Sequence, residues 1–112
     1  SEMCIRDRRN ARLNGVSEKV RFFKGDVSES LAQFLPSELV IVDPPREGLA
    51  KEVVKFLNSA PPRFLIYISC NPPTLARDIS RLESFKVERV VMVDMFPQTF
   101  HIEVFTLLRS KV

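Results

Sequence analysis

Apolar residues along this chain fall into two alternating rhythms. Short, mostly apolar runs at Val20–Phe23, Leu39–Val42 and Phe64–Ile68 are separated by stretches where apolar residues recur every three or four positions. The runs predict strands and the longer stretches predict helices, and their alternation predicts an α/β fold with a parallel sheet. Asn10–Val16 reads as the end of a helix, with Gly15 as its C-cap. Ser28 stands where a cap starts a brief helix through Leu31, Phe34 and Leu35, stopped by Pro36. Leu39–Val42 is apolar at every position and is expected to be a buried central strand. A helix over 47–58 carries Leu49, Val53, Phe56 and Leu57 on one side, and one over 73–84 carries Leu75, Ile79 and Leu82. Two final strands are expected over 87–94 and 101–108, joined through Met95–Thr99.

Composition narrows this picture without redirecting it. The chain has 112 residues, 45% hydrophobic and 28% charged, which is enough for one small domain. No apolar run reaches membrane-spanning length, and no segment has the pattern of a signal peptide. Cys4, Cys70 and the single His101 have no metal-ligand spacing, so no metal is expected, and a reducing cytoplasmic setting is. A net charge of +3 permits a polyanionic partner, but the basic residues are scattered rather than clustered.

The chemistry sits at predicted strand ends. Asp26, Asp43 and Cys70 each follow a strand, and the carboxyl edge of a parallel sheet is where ligands bind. Cys70 lies between an apolar strand and a helix that opens on proline, where the helix N-terminus favours a nucleophilic sulfur. Asp26 and Asp43 can also serve as helix caps or turn formers. For Asp43 that reading is weaker, because Pro44-Pro45 removes two backbone donors and stiffens an extended exit suited to a planar ligand. Arg46 has the charge to hold a phosphate, although an arginine after a turn is commonly just solvated. Glu103 stands inside an otherwise apolar strand, on the same face as His101 by alternation. A carboxylate there is disfavoured unless it is paired, functional, or on an exposed edge strand. His101 near a strand start has the simpler role of making a local hydrogen bond.

Three ordered motifs bring these residues together: Asp43-Pro44-Pro45-Arg46-Glu47-Gly48-Leu49, Tyr67-Ile68-Ser69-Cys70-Asn71-Pro72-Pro73-Thr74-Leu75-Ala76-Arg77-Asp78, and Phe96-Pro97-Gln98-Thr99-Phe100-His101-Ile102-Glu103. From Asn10 onward the chain resembles the C-terminal part of the S-adenosylmethionine-dependent RNA 5-methyluridine (uracil-C5) methyltransferases that act on tRNA and 23S rRNA. The resemblance implies a partial Rossmann-like sheet lacking its first two strands, and S-adenosylmethionine as cofactor. Cys70 would be the nucleophile and Glu103 the base. Asp26 and Asp43 would contact the cofactor, while Pro44, Arg46, Asn71 and His101 would position an RNA uridine. Phe100 stands where family members often have histidine, and Pro73 where they have small residues. The family's glycine-rich cofactor loop has no counterpart among Gly15, Gly25 and Gly48. Residues 1–9 do not match the family and are expected to be a non-native or disordered lead, and the chain by itself is expected to be inactive. Two alternatives use the same residues differently. A nucleic-acid amino-methyltransferase would use Asp43-Pro44-Pro45 to hold an exocyclic amine and would need no cysteine. A non-catalytic RNA-binding remnant would need neither Cys70 nor Glu103.

Overall fold

The computed structural model describes residues 2–19, 27–31, 34–96 and 101–112. The expected strand Val20–Phe23 and the carboxylate of Asp26 lie outside the described residues. The first helix, α1 (Glu2–Leu13), includes residues 2–9, part of the stretch expected to be a non-native or disordered lead. It ends as Gly15 implies: Gly15 has φ +69°, its N–H bonds the Arg12 carbonyl at 3.2 Å, and the Val16 N–H bonds the Ala11 carbonyl at 2.9 Å. This pair of bonds is a Schellman cap, which satisfies carbonyls that the helix itself leaves open.

The short α2 (Val27–Leu31) stops before Phe34 and Leu35, so it is briefer than the apolar spacing suggested. Four strands follow, β1 (Leu39–Val42), β2 (Phe64–Ser69), β3 (Phe85–Phe96) and β4 (His101–Ser110), in the spatial order β1-β2-β4-β3. Two helices join them: α3 (Lys51–Ser59) crosses from β1 to β2, and α4 (Pro72–Arg81) leads from β2 to β3. The β1–β2 pair is parallel as expected, but β4 runs antiparallel to both β2 and β3. The expected parallel pairing does not extend to β4, because only residues 97–100 separate β3 from β4, and a parallel return needs a crossover of a dozen or more residues.

Burial in β2 alternates strictly, with Leu65, Tyr67 and Ser69 facing inward, and β4 presents Val104, Thr106 and Leu108 on the same side. Leu49, Val53, Val54 and Leu57 from the α3 segment and Leu75 and Leu82 from the α4 segment complete that core. Asn58 joins the two helices, donating to the Arg81 carbonyl at 2.8 Å and accepting from the Ser84 N–H at 3.1 Å. The opposite face of the sheet is apolar but open: Ile41, Val91 and Phe105 are all exposed. Strand β1 is therefore not the buried central strand its composition implied. Among the described residues it is an edge strand, with Ile41 58% accessible.

Candidate active site

Strand direction gathers the sequence-predicted residues. Because β1 and β2 are parallel, Asp43 and Cys70 leave the sheet at one edge, just past Val42 and Ser69. Because β4 is antiparallel to β2, its amino-terminal half returns to that edge. The last β2–β4 pair is Ser69 with Val104, which leaves Cys70 and Glu103 each one residue beyond that pair, at the same end of the sheet. Cys70 is exposed as a free thiol, and Glu103 is half-buried. The edge-strand explanation for Glu103 does not apply, since β4 lies between β2 and β3. Glu103 makes no hydrogen bond or ion pair among the described residues, so its carboxylate is uncommitted.

Cys70 is held by its neighbours. The Asn71 N–H donates to Ser69 Oγ at 3.0 Å and the Ser69 hydroxyl donates to the Asn71 carbonyl at 3.1 Å, bracing the peptide on each side of the thiol. Helix α4 then starts with Pro72 and Pro73, whose missing N–H groups would have been unbonded in a first turn anyway. Asn71, at the N-cap, makes no side-chain cap bond. Its Nδ2 reaches instead to the Arg46 carbonyl at 3.3 Å, on the segment that follows Asp43.

That segment departs from the sequence expectation. Glu47 and Gly48 do not begin the helix. They close a turn in which the Gly48 N–H bonds the Pro45 carbonyl at 2.9 Å, and α3 starts only at Lys51. Gly48 has φ +88°, and a Cβ there would collide with Asp78 Oδ2, Thr74 Cγ2 and Arg77 Nη2. Helix α4 therefore packs against bare backbone. Asp78, fully buried, accepts from the Leu49 N–H at 2.8 Å and from the Tyr67 hydroxyl at 2.5 Å, both on Oδ2. Its Oδ1 faces Arg77 Nη2 at 3.3 Å and Arg81 Nη1 at 3.4 Å. Arg77 also donates to the Glu47 carbonyl at 2.5 Å. Burial, and then the bond to Asp78 and its negative charge, push the Tyr67 hydroxyl far above the usual tyrosine range.

Asp78 and Tyr67 escaped the sequence reading as site residues, though a signal existed. Asp78 lies on the apolar stripe Leu75–Ile79–Leu82 of its helix, where a carboxylate needs buried partners. Of the other predicted residues, Arg46 is exposed on the turn and Pro44 is half-buried. His101 pairs with Phe96 at the start of β4, and its side chain lies outside the described residues. No cluster among the described residues has the makings of a metal site.

Beside Asp43 opens a cleft of about 400 Å³, walled by Ile41, Val42, Pro44, Leu49 and Val53. Its walls are mostly apolar, with the Asp43 carboxylate the one charged group among the lining residues.

The chain is similar to several known proteins. The 23S rRNA (uracil(747)-C(5))-methyltransferase RlmC of Shigella boydii is 52% identical over 77 residues, covering 69% of this chain and 20% of that protein. An uncharacterized RNA methyltransferase of Caldanaerobacter subterraneus is 43% identical over 101 residues, 85% of this chain and 22% of that protein. The crystal structure of Pyrococcus abyssi tRNA (uracil-54, C5)-methyltransferase in complex with S-adenosyl-L-homocysteine superposes with a TM-score of 0.74 at 36% identity, over 96% of this chain and 26% of that one. The chain thus spans about a fifth to a quarter of the length of these relatives. The profile of the tRNA (uracil-5-)-methyltransferase family matches residues 10–111, and the chain belongs to that family.

Proposed function

We propose that this chain carries the nucleophile-and-base portion of an enzyme that methylates C5 of a uridine in RNA, rRNA or tRNA, in the cytoplasm. The observation that supports the reading is the β2–β4 register, whose last pair, Ser69 with Val104, leaves the exposed Cys70 thiol and the half-buried Glu103 each one residue away at the same end of the sheet.

C5 of uracil is a weak nucleophile until electron density is pushed into the ring. Cys70, as thiolate, adds to C6, and the C5–C6 π electrons move to make C5 an enolate carbon. S-adenosylmethionine, when bound, supplies the electrophilic methyl group that C5 receives. Glu103 then takes the C5 proton, the ring double bond re-forms, and the Cys70 sulfur leaves C6 with its electron pair. Asp43 at the rim of the apolar cleft would hold the positive end of the cofactor, and Asp26 its adenosine part. Arg46, exposed beside the cleft, would meet an RNA phosphate, and Pro44, Asn71 and His101 would frame the base. A uridine within folded RNA must leave its stack to reach Cys70, and the thiol's exposure permits this.

The test uses RNA carrying 5-fluorouridine, whose fluorine cannot leave as a proton and so arrests the reaction at the covalent adduct. The chain is grafted in place of the matching segment of the Shigella boydii enzyme and incubated with this RNA and S-adenosylmethionine. A slow-migrating band on a denaturing gel is expected, and Cys70→Ala abolishes it. Methyl transfer without an adduct would sink the mechanism and favour methylation of an exocyclic amine.

A further inference from the structure

Helix α4 grips the segment after Asp43 through that segment's backbone. The Arg46 carbonyl accepts from Asn71, the Glu47 carbonyl from Arg77, and the Leu49 N–H donates to Asp78. These contacts lie 25 to 30 residues apart in sequence, and the grip depends on the bare Cα of Gly48. Asp78 alone among the three side chains is fully buried and is also bound from a second direction, by Tyr67 of β2. One carboxylate oxygen thereby joins three parts of the fold: the turn that continues Asp43-Pro44-Pro45, the strand that ends at Cys70, and the helix that begins just after it.

We infer that Asp78 is a positioning residue for the reaction proposed above, fixing the Asp43 exit against the Cys70 exit so that cofactor cleft and nucleophile keep one separation. The inference rests on the uracil-C5 reading for its catalytic consequence, but the clamp itself is testable without catalysis. A carboxylate that served only to satisfy an arginine on the surface would not be fully buried, and both arginine contacts are long at 3.3 and 3.4 Å. The shorter, better bonds go to Leu49 and Tyr67, the two groups that connect to the site. The Asp78 side chain touches neither Cys70 nor Asp43. It acts through the two segments that hold them.

Tyr67 makes the clamp directly observable. It is the chain's single tyrosine, and there is no tryptophan, so alkaline absorbance and tyrosine fluorescence report this bond alone. In the full 112-residue chain, tyrosinate should form only well above the ordinary tyrosine range, and Asp78→Asn or Asp78→Ala should shift its formation to lower pH. The Leu49 amide should exchange with solvent at least about tenfold faster in Asp78→Ala and in Gly48→Ala.

In the grafted enzyme, turnover is counted per active site titrated by the 5-fluorouridine adduct, which removes the effect of unfolded protein. Asp78→Ala should lower kcat by about 100-fold, as for an ångström-scale misplacement, with KM for the RNA unchanged. Asp78→Asn, whose amide oxygen still accepts both bonds, should restore kcat to within about tenfold of the unsubstituted graft. Tyrosine titration and Leu49 exchange unmoved by Asp78→Ala overturn the clamp. A clamp that is present but whose loss leaves kcat per titrated site unchanged overturns the positioning role. An unsubstituted graft that forms no adduct overturns the uracil-C5 reading, and the catalytic role of Asp78 with it.

Discussion

Tyr67 and Asp78 show how a single buried pair sets stability as well as geometry. Tyr67 donates to a carboxylate while almost wholly shielded from water, at 1% accessibility, so its ionised form is strongly disfavoured in the folded chain. A hydroxyl whose folded pKa is raised contributes stability that is complete below the unfolded value, about 10, and is lost as pH rises through the folded value. Urea melts should therefore weaken progressively above about pH 10, and Tyr67→Phe should lessen that alkaline loss. Asp78→Ala leaves the Leu49 N–H and the Tyr67 hydroxyl buried without an acceptor, at an expected cost of about 2–4 kcal/mol in the same melts. At this scale Cys70, Asp43 and Glu103 stood out as candidates because each breaks an apolar strand pattern, and the structure places all three toward one end of the sheet. Asp78 was not read as part of the site, because its partners stand 11 and 29 residues away and no local rule connects them.

Among elements, the turn before α3 is the most informative departure. Periodicity alone carries the helix back to residue 47, since Leu49 is in phase with Val53 and Leu57. The structure denies it the first turn because Gly48 adopts a left-handed φ, and the Leu49 N–H that follows is held by Asp78. Gly48→Ala should cost about 1–2 kcal/mol from the backbone alone, and more from collision with the α4 side chains. A fall in the urea midpoint without a change in slope is the expected signature. Strand positions were read well and strand directions less so. Nothing in the composition of residues 101–108 distinguishes parallel from antiparallel, but the short connection to β3 does, and it is the stronger constraint. Burial of β1 was overestimated for a related reason: an apolar run reports what a strand can bury against, and not which neighbours it has.

Taken whole, the molecule leaves much of its apolar surface open. Its accessible area is 8465 Å², against about 6300 Å² for a compact monomer of this mass. Its radius of gyration is 15.2 Å, against about 13 Å for a compact domain of this length. Helices α3 and α4 cover one face of the sheet, while Ile41 and Phe105 remain exposed on the other. Such a surface predicts concentration-dependent self-association, to be followed by light scattering, and Ile41→Lys with Phe105→Lys should reduce it without lowering the urea midpoint. The candidate site draws on the ends of three strands, and it has a consequence for how sequences in this family can diverge. Residues added between β3 and β4 leave every rung of the β2–β4 ladder in place. A single residue gained between Glu103 and Val104 is another matter. It would move Glu103 one step further from the Ser69–Val104 rung, turn its carboxylate to the opposite face of the sheet, and remove the proposed base while leaving every rung in place.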